Sequence, residues 1–229
     1  NMMNEAAMIA ARNKDKLITM EHIEKAFFNV LVGEEKKDRS YISLKDKKIT
    51  AYHEAGHALI AKKIANHNRV TRVSIIPSTK GMGGFSLNIP PDRIYQSKKD
   101  IIQNIMISLG GRAAEEVIFG KNDITTGASS DLKKATEMVI AMIGVYGMDD
   151  ELGLLSYEVV ANSNLSTGSS IIKRGKEILD NLYNETKNML IENIESLHAL
   201  ANRLILEESL DEKEINEIIN STQNGIICS

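Results

Sequence analysis

Two histidines stand four residues apart in Ala51-Tyr52-His53-Glu54-Ala55-Gly56-His57-Ala58-Leu59-Ile60, and a glutamate follows the first. On an α-helix, positions i and i+4 share one face, a turn apart. His53 and His57 can therefore hold one Zn²⁺ between them. Glu54 lies about 100° round the helix, off the ligand face but within reach of a water on the metal. This is the His-Glu-x-x-His pattern of metallohydrolases, with the glutamate as general base. Ile49, Tyr52, Leu59, Ile60 and Ile64 predict a helical apolar stripe, and Thr50 is the candidate N-cap. Gly56 costs about 1 kcal/mol against alanine in a helix interior, which points to something packed close against the metal face.

A catalytic zinc takes three protein ligands and keeps a position open. The chain has five histidines, and His22, His67 and His198 stand in no motif. His22 and His198 read as structural residues and His67 as a loop histidine. The third ligand is expected to be a carboxylate: Glu115 or Glu116, or Asp131 at the start of the following helix. Spacing alone does not choose among them.

The elements that must position these residues are mostly helical. A helix over 1–12 and a second from Thr19 to a stop at Gly33 form a hairpin. The charged stretch 34–48 is a connector that runs into the motif helix, which extends to about Ala65 before a turn at 66–68. Residues 70–77 alternate and are β-branched, so they predict a strand. Gly81 to Gly84 predicts a turn into a second strand through Leu87, closed by Ile89-Pro90-Pro91-Asp92. Glycines there suit an edge that another backbone approaches, and such an edge accepts an extended peptide. Gly83, Gly84, Phe85 and Ser86 are thus the substrate-binding candidates, with a plain hairpin turn as the alternative. A helix follows from Ser97 to Phe119, its Gly110-Gly111 permitting close packing. The polar loop 123–131 caps a helix over 132–146. One helical pattern then runs from Ser169 to about Glu207, long enough for an arm or a helical hairpin that packs on a neighbour. Asp211 caps a last helix, with Glu214 at the capping-box position, and the residues from Ser221 are expected to be disordered.

Composition narrows the class. The chain has 229 residues, 42% of them hydrophobic and 26% charged, which is ordinary for a globular protein. A net charge of −3 gives no general drive toward nucleic acid or anionic membrane. Nucleic-acid binding through the 1–32 hairpin is a weaker reading for the same reason. The one cysteine, Cys228, allows no internal disulfide and rules out four-cysteine zinc sites. No stretch of eighteen apolar residues occurs, and no Gly-x-x-x-x-Gly-Lys-Ser/Thr phosphate loop. The sequence starts without a methionine and reads as a piece of something longer.

Three motifs in order resemble the FtsH family: His-Glu-Ala-Gly-His at 53–57, Gly-Gly-Arg-Ala-Ala-Glu-Glu-Val-Ile-Phe-Gly at 110–120, and Ile-Thr-Thr-Gly-Ala-Ser-Ser-Asp-Leu at 124–132. Tyr146-Gly147-Met148 and Leu152-Gly153 also match. So do Asn4-Glu5-Ala6-Ala7 and Ile18-Thr19-Met20-Glu21, which resemble the last helices of that family's ATPase module. The family comprises membrane-anchored, ATP-dependent zinc metalloproteases of the AAA class. The resemblance implies a mainly α fold: a helical zinc-peptidase domain over 49–220 with a small β-hairpin or sheet and a long C-terminal helix. It implies an AAA lid remnant over 1–34, a linker over 35–48 and a tail over 221–229. It makes Asp131, 78 residues after His53, the third ligand, and places Glu115, Glu116, Thr126 and Gly127 behind the ligands. Zn²⁺ is the implied cofactor, with ATP bound only by the full-length protein. Unfolded or membrane proteins are the implied substrates, a homo-hexamer the implied assembly, and nucleic acid is not an implied partner. Anchoring in a bacterial inner, mitochondrial or plastid membrane would come through a segment missing from this otherwise soluble chain. The alternative is a non-enzymatic oligomerisation module stapled by zinc.

Overall fold

A computed structural model describes residues 1–64, 68–89, 91, 92, 94–154, 156, 157, 159 and 168–223. The expected turn at 66–68, with His67, and Pro90 lie wholly or partly outside those residues. The architecture is mainly α with a small sheet, as the sequence predicts. Eight α-helices and three short strands make up the described chain: α1 (Met2–Asn13), α2 (Met20–Val32), α3 (Leu44–Ile64), β1 (Arg69–Ser74), β2 (Phe85–Ile89), α4 (Lys98–Phe119), α5 (Ser129–Gly144), α6 (Gly168–Glu192), α7 (Ile194–Glu207), β3 (Ser209–Asp211) and α8 (Glu212–Gln223).

Helix α3 is the axle of the fold. Its start differs from the expected cap at Thr50. Ser43 takes that role, its Oγ accepting from the Asp46 N–H at 3.0 Å while Asp46 accepts from the Ser43 N–H at 3.3 Å. Thr50 sits inside the helix, because Leu44 to Ile49 continue the helical turn through the charged connector. Nor is α3 one-sided: the eleven residues from Ala51 to Ala61 are all buried. Helix α4 covers one side, α7 another and the sheet a third, so no solvent face remains to show as periodicity. Tyr52 reaches α7 by a 2.8 Å hydrogen bond with His198 Nδ1, which gives that histidine its structural role.

The α3–α4 crossing is closer than side chains allow. A Cβ built on Gly56 would lie 2.4 Å from the Gly110 carbonyl oxygen and 2.7 Å from the Ala114 Cβ. Backbone meets backbone here, which accounts for both helix-interior glycines.

The sheet is antiparallel, in the order β2-β1-β3, with Val73 opposite Ser86 on one side and Leu210 on the other. A bulge near Thr71 sets Val70 and Val73 both into the core. Strand β3 is three residues long and carried no periodicity to predict it. The expected helix over 169–207 is two helices. Asn193 breaks it with φ −118° and ψ 32°, and its Nδ2 donates to the Met189 carbonyl at 2.8 Å. Helix α6 packs on α4 and α5, whereas α7 packs on α3, so one apolar pattern serves two partners. Helix α8 has the expected Asp211/Glu214 capping box, with both bonds at 2.9 Å, and continues to Gln223, three residues into the segment expected to be disordered.

Helices α1 and α2 pack as the expected hairpin around Ala6, Ile9 and Ala26. His22 sits at the capping-box position, accepting the Thr19 N–H at Nδ1 over 3.1 Å. The hairpin rests on the sheet end. The Lys80 ammonium donates to the Val30 carbonyl at 2.6 Å, Thr79 N–H to the Glu34 carbonyl at 2.8 Å, and the Phe28 and Phe85 rings lie 6.1 Å apart.

An added methyl at Gly56 must push two helix backbones apart. Gly56→Ala is expected to lose about 2 kcal/mol by overpacking rather than gain the helix-propensity increment of about 1 kcal/mol. Thermal unfolding of the metal-free protein should show a midpoint lower by about 4–8 °C; a higher midpoint would contradict the close crossing.

Candidate metal centre

Two elements deliver three donors to one point. His53 and His57 come from α3, where the four-residue spacing stacks them with Nε2 atoms 3.1 Å apart. Asp131 comes from the first turn of α5, which begins at Ser129, so Asp131 lies within the helix and not in the loop that caps it. Its Oδ2 is 3.3 Å from the Nε2 of each histidine. Among the described residues these three form the one group of ligand-type side chains whose donor atoms all lie within 4.8 Å of one another.

The partners of the other ring nitrogens fix the chemistry. His57 Nδ1 is 2.7 Å from the Ile107 carbonyl; a carbonyl only accepts, so Nδ1 carries the proton. His53 Nδ1 is 2.7 Å from Glu115 Oε1 and donates to that carboxylate. In the neutral rings both Nε2 atoms are then lone pairs. They face each other and a carboxylate oxygen, and three acceptors cannot satisfy one another. The cluster requires a cation, and two imidazoles with a carboxylate suit Zn²⁺.

The proton affinities say the same. Burial pulls His53 down, but the hydrogen bonds to Asp131 and Glu115 outweigh it and hold its pKa up at about 10. Burial would raise Asp131, yet its hydrogen bonds to His53 and His57 take it well below the ordinary carboxylate range. Glu54 is 7% exposed, and burial pushes its pKa up against the pull of His53 and His57. It stays off the donor cluster, as its place on the helix requires.

Space for the site comes from two glycines. A Cβ on Gly111 would lie 2.5 Å from His53 Nε2, so the α4 backbone passes directly over the imidazole face. A Cβ on Gly84 would lie 2.9 Å from Glu54 Oε1 and 2.8 Å from the Ser74 carbonyl. The chain entering β2 therefore runs against the carboxylate. Gly83 is exposed with open space at its Cα, Phe85 turns toward Phe28, and the buried Ser86 Oγ has no hydrogen-bond partner.

The residues expected behind the ligands separate. Glu115 is fully buried and spans from His53 to the Thr125 N–H, which donates to its Oε2 at 2.7 Å. Glu116 faces away, bonded to the Tyr183 hydroxyl at 2.7 Å and the Lys187 ammonium at 3.0 Å. Thr126 and Gly127 are exposed in a short 3₁₀ turn, and Gly127 meets the site only at its margin, 4.0 Å from Glu115 Oε1 to a built Cβ. Thr125 is the loop residue that reaches inward. Sequence reasoning missed it, as it missed the Ile107 carbonyl, which no side-chain pattern could reveal.

Known proteins resemble this chain over most of its length. The model of Peptidase family M41 matches residues 40–218. The chain is 48% identical over 224 residues, 98% of its length, to the ATP-dependent zinc metalloprotease FtsH 1 of Alkaliphilus metalliredigens. It is 46% identical over 218 residues, 95% of its length, to the ATP-dependent zinc metalloprotease FtsH of Lachnoclostridium phytofermentans. It spans 38% of the length of the first relative and 37% of the second.

If Glu115 orients His53 and Glu116 does not, Glu115→Gln should weaken zinc binding about 10–100-fold. Glu116→Gln should leave it within about twofold, on the same expectation for groups that orient ligands. Competition with a chromophoric chelator measures both, and equal losses in the two variants would contradict the assignment.

Proposed function

The chain belongs to Peptidase family M41, and from that premise we propose that it is the peptidase part of an ATP-dependent, membrane-anchored zinc metalloprotease that hydrolyses peptide bonds of protein substrates. The observation that carries this reading is the convergence of His53 Nε2, His57 Nε2 and Asp131 Oδ2, all within 4.8 Å of one another, beside the buried Glu54. Those three residues would hold the zinc. A zinc-stapled assembly module needs a fourth protein ligand, and among the described residues the group has three members.

Bound zinc supplies Lewis acidity, polarising a scissile carbonyl and acidifying a water. The chain's own residues do the rest. Glu54 accepts the proton of the attacking water and returns it to the leaving amine. Glu115 holds the His53 ring in the tautomer that leaves Nε2 free. Strand β2 pairs with β1 on one side only, and Gly84 sets its start against Glu54. An extended substrate lying along 83–86 would place its backbone beside the base.

The relatives are ATP-dependent by name, whereas these 229 residues contain no phosphate loop. We place nucleotide hydrolysis and membrane anchoring outside them; among the described residues no helix is long and apolar enough to cross a membrane. In this reading residues 1–34 end an AAA lid, 35–48 link it to the peptidase over 49–220, the assembly is a homo-hexamer, and unfolded or membrane proteins are the substrates.

Two sets of variants test the site with a fluorogenic peptide or unfolded casein and with zinc analysis. Glu54→Gln should keep its zinc and lose proteolysis by about 10²–10⁴-fold, while His57→Ala should lose both. Zinc-loaded Glu54→Gln that cleaves at the wild-type rate would overturn the general-base role. Gly84→Ala should keep zinc yet cut peptides at least about tenfold more slowly, since misplacement by an ångström costs up to about 100-fold; an unchanged rate would remove Gly84 from the site.

A further inference from the structure

Arg112 has no part in the site described so far, yet its side chain ends one residue from it. The carboxylate one turn along α4, Glu116, would be its ordinary partner, but Tyr183 and Lys187 occupy Glu116. Arg112 instead crosses to the loop before α5 and donates from Nη1 to the Thr125 carbonyl at 2.7 Å. The same residue's N–H donates to Glu115 Oε2 at 2.7 Å. Helix α4 thus grips Thr125 from both ends, with Arg112 and Glu115 three residues apart on neighbouring turns.

What hangs from that grip is the metal centre. With Oε2 committed to Thr125, Glu115 presents Oε1 to His53 Nδ1 at 2.7 Å. The Thr125 hydroxyl oxygen accepts the Gly127 N–H at 3.1 Å, opening the 3₁₀ turn Thr126–Ala128 that leads into α5 and Asp131. His53 on α3 and Asp131 on α5 are therefore aligned through one residue, Thr125. Residues 121–123 just upstream are exposed, and a charged donor on the Thr125 carbonyl restrains the direction of the peptide that follows it.

We propose that Arg112 is a positioning residue for the zinc centre, acting through Thr125 on Glu115 and His53. This rests on His53, His57 and Asp131 holding zinc.

The test is zinc affinity of the purified chain, by chelator competition, for wild type, Arg112→Met, Arg112→Lys, Glu115→Gln and the double variant Arg112→Met/Glu115→Gln. Methionine keeps the apolar stem and removes the donors. It should weaken zinc about tenfold or more, while lysine, which restores one charged donor, should stay within about threefold. Because the two groups act in series, the double variant should bind within about twofold of Glu115→Gln alone. Arg112→Met binding as wild type does, or a double variant whose loss is the product of the single losses, would overturn the proposal. Should Arg112→Met not fold, Arg112→Gln, too short to reach Thr125, carries the same expectation. A wild-type chain that binds no zinc would bring down the metal reading and this one together; zinc-binding wild type with an unaffected Arg112→Met would bring down this one alone.

Discussion

Three acceptor atoms aimed at one another in a buried site are the constraint on which the rest of the structure depends. Each buried acceptor without a partner costs about 1–3 kcal/mol, so a protein keeps such a cluster only where a cation completes it. His53 and His57 are committed to it by their Nδ1 partners, Glu115 and the Ile107 carbonyl. Asp131 is committed by the start of α5. The raised proton affinity of His53 and the lowered one of Asp131 express the same demand for positive charge.

The fold is arranged to bring those atoms together without a gap. α3 carries two donors and the base, and its burial on every side keeps the ring planes from moving. α4 can approach because Gly56 faces Gly110 and because Gly111 leaves room over the His53 imidazole. On the other side, Gly84 lets the entry to β2 come against Glu54. That strand is tied back to the N-terminal hairpin through Phe85 on Phe28, and its loop through Lys80 on the end of α2. The edge beside the base is thus in contact with the N-terminal helical hairpin.

Much of this was legible in the sequence because the relevant signals are local. The two histidines and the glutamate declare themselves by helical spacing, and the capping box at Asp211 and the stop at Gly33 are short-range chemistry. Gly56 announced a close neighbour without naming it. The choice of Asp131 over Glu115 needed the resemblance, since both are carboxylates near helix segments and only the fold tells which one points at the histidines. Other features stayed hidden for physical reasons. The break at Asn193 falls inside an unbroken apolar period, α3 begins in exposed, charged turns with no apolar pattern to mark them, and β3 is too short to alternate. The grip of Arg112 and Glu115 on Thr125 uses its backbone carbonyl and N–H, which no side-chain pattern reveals.

The central claim is that three protein atoms, and no fourth, make a zinc site beside a buried base. Anomalous diffraction at the zinc edge from crystals of the zinc-loaded chain tests it most directly. The account predicts one zinc peak bonded by His53 Nε2, His57 Nε2 and an Asp131 carboxylate oxygen, with the remaining position held by no protein atom. Zinc bound elsewhere, Glu115 in place of Asp131, or a fourth protein ligand closing the site would contradict it.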